Sequence, residues 1–263
     1  MTDYRSIVIT GASGGIGTEL ARAFAGPGVS LALIARDATR LEALAEDCRA
    51  AGAIVSVAGI DVRDRPALHA FLQAHDAEHP VDLLIANAGV TCGLGEGRSR
   101  ESDGDAEWLA EVNYKGAVHT VSALVERMRA RKNGRIVIMS SLAGMRGLPD
   151  MPSYSATKAA LIAYGESLRG WLRRDRVGVT VICPGFVTSP MSARHMGAKP
   201  FEISAQKAAR IIKRAAEKGR PFRAFPFPLA LGIRLSKFLP AWASDLCYAS
   251  MSADVERDPR SDL

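Results

Sequence analysis

Cysteine is scarce in this chain, and what there is lacks order. Cys48, Cys92, Cys183 and Cys247 show no C-x-x-C pair and no ligand-like spacing. That argues against a disulfide framework and a metal site, and it suits a reducing cytoplasm. His69, His75, His79, His119 and His195 are equally scattered, so no metal ligands are assigned. No apolar run approaches the length of a membrane span. The N-terminus runs straight into a strand-like stretch, with no basic segment followed by an apolar core, so no secretory signal is read there. No internal repeat and no linker divides the chain, and residues 1–263 are expected to form one domain.

What is present is ordinary for a globular protein: 48% hydrophobic and 24% charged residues over 263 positions, enough for a sizeable core. The net charge of +6 admits nucleic acid, membrane surface or anionic ligands as partners. No nucleic-acid-binding module accompanies the charge, so that partner is set aside.

Ser6-Ile7-Val8-Ile9-Thr10 reads as a buried strand. It meets Gly11-Ala12-Ser13-Gly14-Gly15-Ile16-Gly17, after which residues 18–25 read as a helix. Strand, glycine-rich turn and helix N-terminus together suit a phosphate: glycines permit close backbone approach, and free N–H groups with the helix dipole favour an anion. Further strands are predicted over 31–35, 54–60, 81–86, 135–141, 177–183 and 221–227. Helices are predicted between them, over 37–51, 63–75, 106–131, 153–174 and 204–218. The alternation predicts an α/β fold, a doubly wound parallel sheet with helices on both faces. Residues 90–105 and 189–203 read as loops, and the tail from residue 252 as frayed.

The second predicted strand ends Ala35-Arg36-Asp37, where an acidic residue would meet a ribose 2′-hydroxyl. Arg36 instead suits a 2′-phosphate, favouring NADP over NAD. Its bland alternative is a surface charge beside a helix-capping Asp37.

Tyr154 and Lys158 lie one helical turn apart in Ser153-Tyr154-Ser155-Ala156-Thr157-Lys158. An ammonium group beside a phenol lowers its pKa, which suits a general acid–base tyrosine, although alone this spacing is more often a solvated helix face.

Thr10-Gly11-Ala12-Ser13-Gly14-Gly15-Ile16-Gly17, Asn87-Ala88-Gly89, Tyr154-x-x-x-Lys158 and Pro184-Gly185, in that order and spacing, resemble the short-chain dehydrogenase/reductase family. The resemblance covers roughly residues 5 to 215. It implies a single Rossmann domain with a seven-stranded parallel sheet, and a catalytic set of Asn113, Ser141, Tyr154 and Lys158. Ser141 is selected over Ser140 by its distance from the tyrosine. In the implied roles Tyr154 exchanges a proton with a carbonyl or alcohol oxygen and Ser141 hydrogen-bonds that oxygen. Lys158 lowers the tyrosine pKa and holds the nicotinamide ribose, and Asn113 anchors a water. Gly11, Ser13, Gly15, Ile16, Gly17 and Arg36 would line the cofactor. So would Asp61 and Val62 at the adenine, Asn87 and Gly89, and Pro184, Val187 and Ser189 at the nicotinamide.

Ser189 departs mildly from the threonine common in the family. Phe225-Pro226-Phe227-Pro228 and an apolar helix over 229–239 replace the family's usual ending, which counts against a tetramer and leaves a homodimer through the Asn113 and Tyr154 helices. Residues 189–218 form the substrate region, and 225–263 a C-terminal extension. The stretch from Lys207 to Lys237 is basic, with Glu217 its one acid and apolar residues interleaved as far as Trp242. Its readings are packing on the core or a second subunit, a lid over a lipophilic substrate, or a peripheral membrane contact. The expected activity is NADP-dependent hydride exchange with a carbonyl or secondary alcohol. The alternatives are a catalytically silent cofactor-binding regulator and a membrane-surface protein on the same fold.

Overall fold

The computed structural model describes residues 3–243 and 254–256. Cys247 and most of the expected C-terminal tail lie outside the described residues. Seven strands form one parallel sheet: β1 (Ser6–Thr10), β2 (Ser30–Ala35), β3 (Ile54–Gly59), β4 (Leu83–Ala86), β5 (Gly134–Met139), β6 (Val177–Pro184) and β7 (Phe222–Phe225). Their order is β3-β2-β1-β4-β5-β6-β7. Chain order reverses between β1 and β4, the crevice where open parallel sheets bind ligands at their carboxyl ends.

Most of these strands are covered on both faces, which is why they are β-branched and apolar rather than alternating with polar residues. Alternate residues feed different cores. Val8, Ala32, Ile34, Leu84 and Ile136 pack under α3 (Arg65–Glu78), α5 (Gly116–Arg131) and α7 (Pro152–Leu172). Ile7, Ile9, Leu31, Leu33 and Ile85 pack under α1 (Gly15–Phe24), α2 (Ala38–Ala50) and α9 (Ala205–Glu217).

Helix starts follow side-chain caps. Asp37 accepts from Arg40 N, Asp64 from Ala67 N and Ser204 from Lys207 N, each satisfying an orphan amide. The helix α1 is different. It begins at Gly15, inside the glycine turn rather than at residue 18, and its N-cap Gly14 supplies no side chain. The predicted 106–131 helix is three pieces: α4 (Asp103–Leu109), a π-helical turn (Ala110–Lys115) and α5. Two loops also contain short helices, α6 (Leu142–Met145) and α8 (Pro190–Ala193). The C-terminal helix α10 spans Phe227–Ser236.

The frayed-tail expectation fails at residues 254–256. Val255 is buried and bridges His195, while Met196 N donates to Asp254 O and Glu256 N donates to Arg194 O.

Candidate active site

The glycine turn is built by contact. Gly11 has φ +66, and a Cβ there would lie 2.8 Å from Ala88 Cα; a Cβ on Gly17 would lie 2.2 Å from Gly11 O. No side chain fits at either place, so α1 is drawn tight onto the end of β1 with its first amides uncapped. Asn87 fastens the turn from the next strand: its Nδ2 donates to Thr10 O (3.0 Å) and Gly11 O (3.1 Å). Thr10 Oγ1 accepts from Asn87 N and Ala88 N in return. Asn87 thus lines the cavity and also straps the two strand ends at the switch point. Thr10 is its partner.

A single cavity of about 1080 Å³ runs from this turn to the C-terminal helix. Gly11, Ser13, Gly15, Ile16, Arg36, Asp61, Val62, Asn87, Gly89, Pro184, Val187 and Ser189 all line it. Gly17 does not; it is buried behind the turn, acting through its lack of a side chain. The uncapped start of α1 and the side-chain-free cradle fit the pyrophosphate of a dinucleotide.

At the β2 end, Arg36, Asp37 and Arg40 face the same space. Asp37 fulfils its capping role and also pairs with Arg40 at 3.2 Å. Arg40, one helical turn beyond Arg36, is a cation that the strand-end reading overlooked. Asp61 is held by Arg63 at 2.8 Å, with Arg36 3.9 Å away. Burial works to raise the Asp61 pKa, but the hydrogen bonds from Arg63 outweigh it and leave the carboxyl below its usual range.

The structure separates the two serines after β5. Ser140 is buried, its hydroxyl donating to Lys158 O at 2.7 Å, which pins α7 to the strand end. Ser141 turns into the cavity, accepts from Ala143 N (3.1 Å) and shares a hydrogen bond with Tyr154. A Cβ on Gly144 would fall 2.5 Å from the Lys158 carbonyl carbon, so α6 and α7 touch backbone to backbone.

Lys158 is buried, its Nζ donating to Met139 O (3.2 Å) and lying 5.6 Å from the centre of the Tyr154 ring. Burial pushes its pKa down to about 8. Burial also raises the Tyr154 phenol, against a lowering hydrogen bond from Ser141. The phenol here is therefore held in its neutral form, above its ordinary range, whereas the spacing led us to expect a lowered one. The reason is desolvation: both groups sit at the floor of the cavity, and the ammonium is directed to a carbonyl.

Asn113 lies in the π-helical turn, fully buried. Its Oδ1 accepts from Val90 N (2.8 Å), and its Nδ2 donates to Val90 O (3.1 Å) and Thr157 Oγ1 (3.2 Å). Its side chain thus ties the segment after β4 to α7 one residue before Lys158. π-Turns of this kind recur at functional sites. Gly89 sits between the two groups; a Cβ there would lie 3.2 Å from both Asn113 Oδ1 and Lys158 Nζ. The four expected catalytic side chains are thus gathered by one packed unit: the π-turn, the β5 end, α6 and α7.

The other half of the cavity is mostly apolar. Leu142, Met151, Phe186, Met191 and Leu229 line it, with Val255 at its edge. Cys92 is buried, Met196 is exposed and lies off the cavity lining, and Met191 is part of that lining. Cys183 is buried at the end of β6, where burial pushes its thiol up to about 12 and leaves it unreactive. Among the described residues no group of three or more potential metal ligands occurs, and no helix is long and apolar enough to cross a membrane.

A family model described as short chain dehydrogenase matches residues 5–199. An uncharacterized oxidoreductase of Myxococcus xanthus is 38% identical over 238 residues, covering 90% of this chain and 93% of that protein. Oxidoreductase UcpA of Escherichia coli is 35% identical over 240 residues, covering 89% and 87%. Among solved structures, L-sorbose reductase from Gluconobacter frateurii, complexed with NADPH and L-sorbose, aligns with a TM-score of 0.74 at 25% identity, over 84% of this chain and 94% of that one. A short-chain dehydrogenase/reductase from Burkholderia phymatum in complex with NAD aligns with a TM-score of 0.81 at 24% identity, over 98% and 100%. With the seven-stranded sheet and the match across most of its length, the chain belongs to the short-chain dehydrogenase/reductase family of oxidoreductases.

Proposed function

We propose that this protein is an NADP-dependent reductase of an apolar carbonyl compound, working as a homodimer in the cytoplasm. The observation that carries the reading is the Ser141–Tyr154 pair, placed where the dinucleotide groove opens into the apolar half of the cavity. When bound, the nicotinamide cofactor supplies the hydride. Hydride arrival at a carbonyl carbon puts negative charge on its oxygen, and the two hydroxyls stabilise that charge. Tyr154 then gives its proton to the oxygen. A phenol kept protonated by burial has the proton to donate. Lys158 supplies a positive field beneath the tyrosine and holds the ribose. Asn113 positions the Lys158 turn and anchors a water that links the lysine to solvent.

Arg36, with Arg40 beside it, supports NADP: two guanidinium groups at the β2 end suit a 2′-phosphate better than a hydroxyl. The exposed rings of Tyr114 and Trp171, on the π-turn and α7, support pairing of two copies through this side of the sheet.

The test is a panel of ketones assayed with NADPH and NADH, on the wild type and on Tyr154→Phe and Arg36→Ala. Tyr154→Phe is expected to lower turnover by about 100-fold or more while NADPH still binds. Arg36→Ala is expected to weaken NADPH about tenfold and leave NADH unchanged. Turnover that survives the loss of the phenol hydroxyl would falsify the mechanism. A wild type that binds NADPH but reduces nothing would favour the silent cofactor-binding regulator.

A further inference from the structure

Among the described residues, exposed large apolar side chains concentrate on α10 and the turn that follows. Phe227 is 69% exposed, Phe238 87% and Trp242 73%, with Leu231 and Leu235 alongside. The opposite face of the helix is firmly held: Ala230 and Ile233 pack against Leu142, Met145, Val181 and Cys183. The outward face is therefore fixed in place by the core and presented to the surroundings.

Two further observations say what it meets. From Lys218 to Ala243 the chain carries Lys218, Arg220, Arg223, Arg234 and Lys237 and no carboxylate. Arg234 and Lys237 lie on α10 and at its C-cap, so a two-fold interface built from this patch would bring like charges together, because the same surface is used on both copies. An anionic lipid surface complements both the cations and the apolar side chains. Second, Leu235, Leu239 and Phe201 are exposed and also line the cavity, so its mouth opens on this same patch.

We propose that the α10 face docks on the surface of an anionic lipid bilayer and that the substrate enters the cavity from the bilayer past Leu235, Leu239 and Phe201. The second half of this rests on the reductase reading above; the docking half does not.

The full chain, loaded with NADPH, is sedimented with vesicles of phosphatidylcholine alone or mixed with phosphatidylglycerol. The comparison variant is Leu231→Ser/Phe238→Ser/Trp242→Ser, three exposed positions that do not line the cavity, with its fold checked by circular dichroism. The wild type is expected to sediment with the anionic vesicles at least tenfold more than with neutral ones, and the variant to lose that binding. Added salt should weaken it. In parallel, a short water-soluble ketone and a long-chain ketone dissolved in the vesicles are offered as substrates. The variant should turn over the soluble ketone like the wild type and the embedded one at least tenfold more slowly. Equal sedimentation of wild type and variant, or a face buried in a dimer that the variant dissociates, overturns the docking surface. Vesicle binding intact with neither ketone reduced overturns the reductase reading instead and leaves docking supported. Both ketones reduced equally by wild type and variant overturns the entry route.

Discussion

The two ends of the cavity are made by different means. The cofactor end is built on the turn from Gly11 to Gly17, strapped by Asn87 from the neighbouring strand end, with the ends of β2, β3 and β6 completing its lining. The substrate end draws on five segments far apart in the chain. They are the stretch after β4, the loop before α7, the loop after β6, α10 and the short pairing at residues 254–256. One end is specified by backbone requirements that only certain residues meet. The other is specified by side chains that happen to converge, and many sequences could line it. The contrast predicts that changes at the cofactor end act steeply and on every substrate, and that changes at the substrate end act mildly and selectively.

The sharpest test lies where the ends join, at Lys158. Replacing it with methionine is expected to lower turnover by about 100- to 10,000-fold. It should also remove a stability term. The Lys158 pKa lies near 8 in the folded protein, below the ordinary 10.5. Between those values the unfolded chain holds the proton and the folded one does not, so stability rises with pH across that window. At neutral pH the buried charge costs on the order of 3 kcal/mol net. Urea titrations at pH 7.5 and 10 should show the wild type gaining stability relative to Lys158→Met as pH rises. Parallel curves for the two proteins would show that Lys158 titrates normally.

Gly17→Ala comes next and probes the cofactor end alone. A methyl group 2.2 Å from Gly11 O and 2.9 Å from Asn87 Nδ2 meets backbone that cannot withdraw without loosening the strap. Overpacking of this kind costs about 1–3 kcal/mol or more. The expected readout is a lower melting temperature together with about 100-fold weaker NADPH binding, for all substrates alike. A variant that binds NADPH normally would mean that the turn is less constrained than its contacts indicate.

This same contrast decided what could be read from the sequence. The glycine turn, the run of strands from β1 to β6 and the Tyr154–Lys158 face were legible because each is set within a few residues by steric rules or by strand and helix periodicity. The boundary of α1 was misplaced because glycines read as turn even when the first helical residues are themselves glycine and isoleucine. The neutral state of the Tyr154 phenol was not legible, since spacing reports which groups are close but not how deeply they are buried. Nothing local separated Ser140, which pins Lys158 O, from Ser141, which faces the cavity; the family resemblance chose between them. Val255 gave no signal at all. Its place depends on Gly93 and His195, more than 50 residues away.

Val255 therefore offers the mildest test, on the substrate end. It leans on Gly93, where an added Cβ would lie 2.8 Å from Val255 Cβ and 3.0 Å from Asp150 O. Val255→Ala should widen the cavity edge and shift KM among ketones of different bulk by about tenfold, leaving NADPH affinity unchanged. Gly93→Ala alone should be harmful, because it presses on both neighbours. Val255→Ala keeps the Cβ that the methyl at 93 would strike, so the rescue partner is Val255→Gly, which clears both Val255 atoms within 3.1 Å of it. In that double variant the combined loss should fall short of the sum by about 0.5–3 kcal/mol. Strict additivity would separate the two residues. A matching change in NADPH affinity would mean that the ends of the cavity are coupled, and the contrast between them would no longer hold.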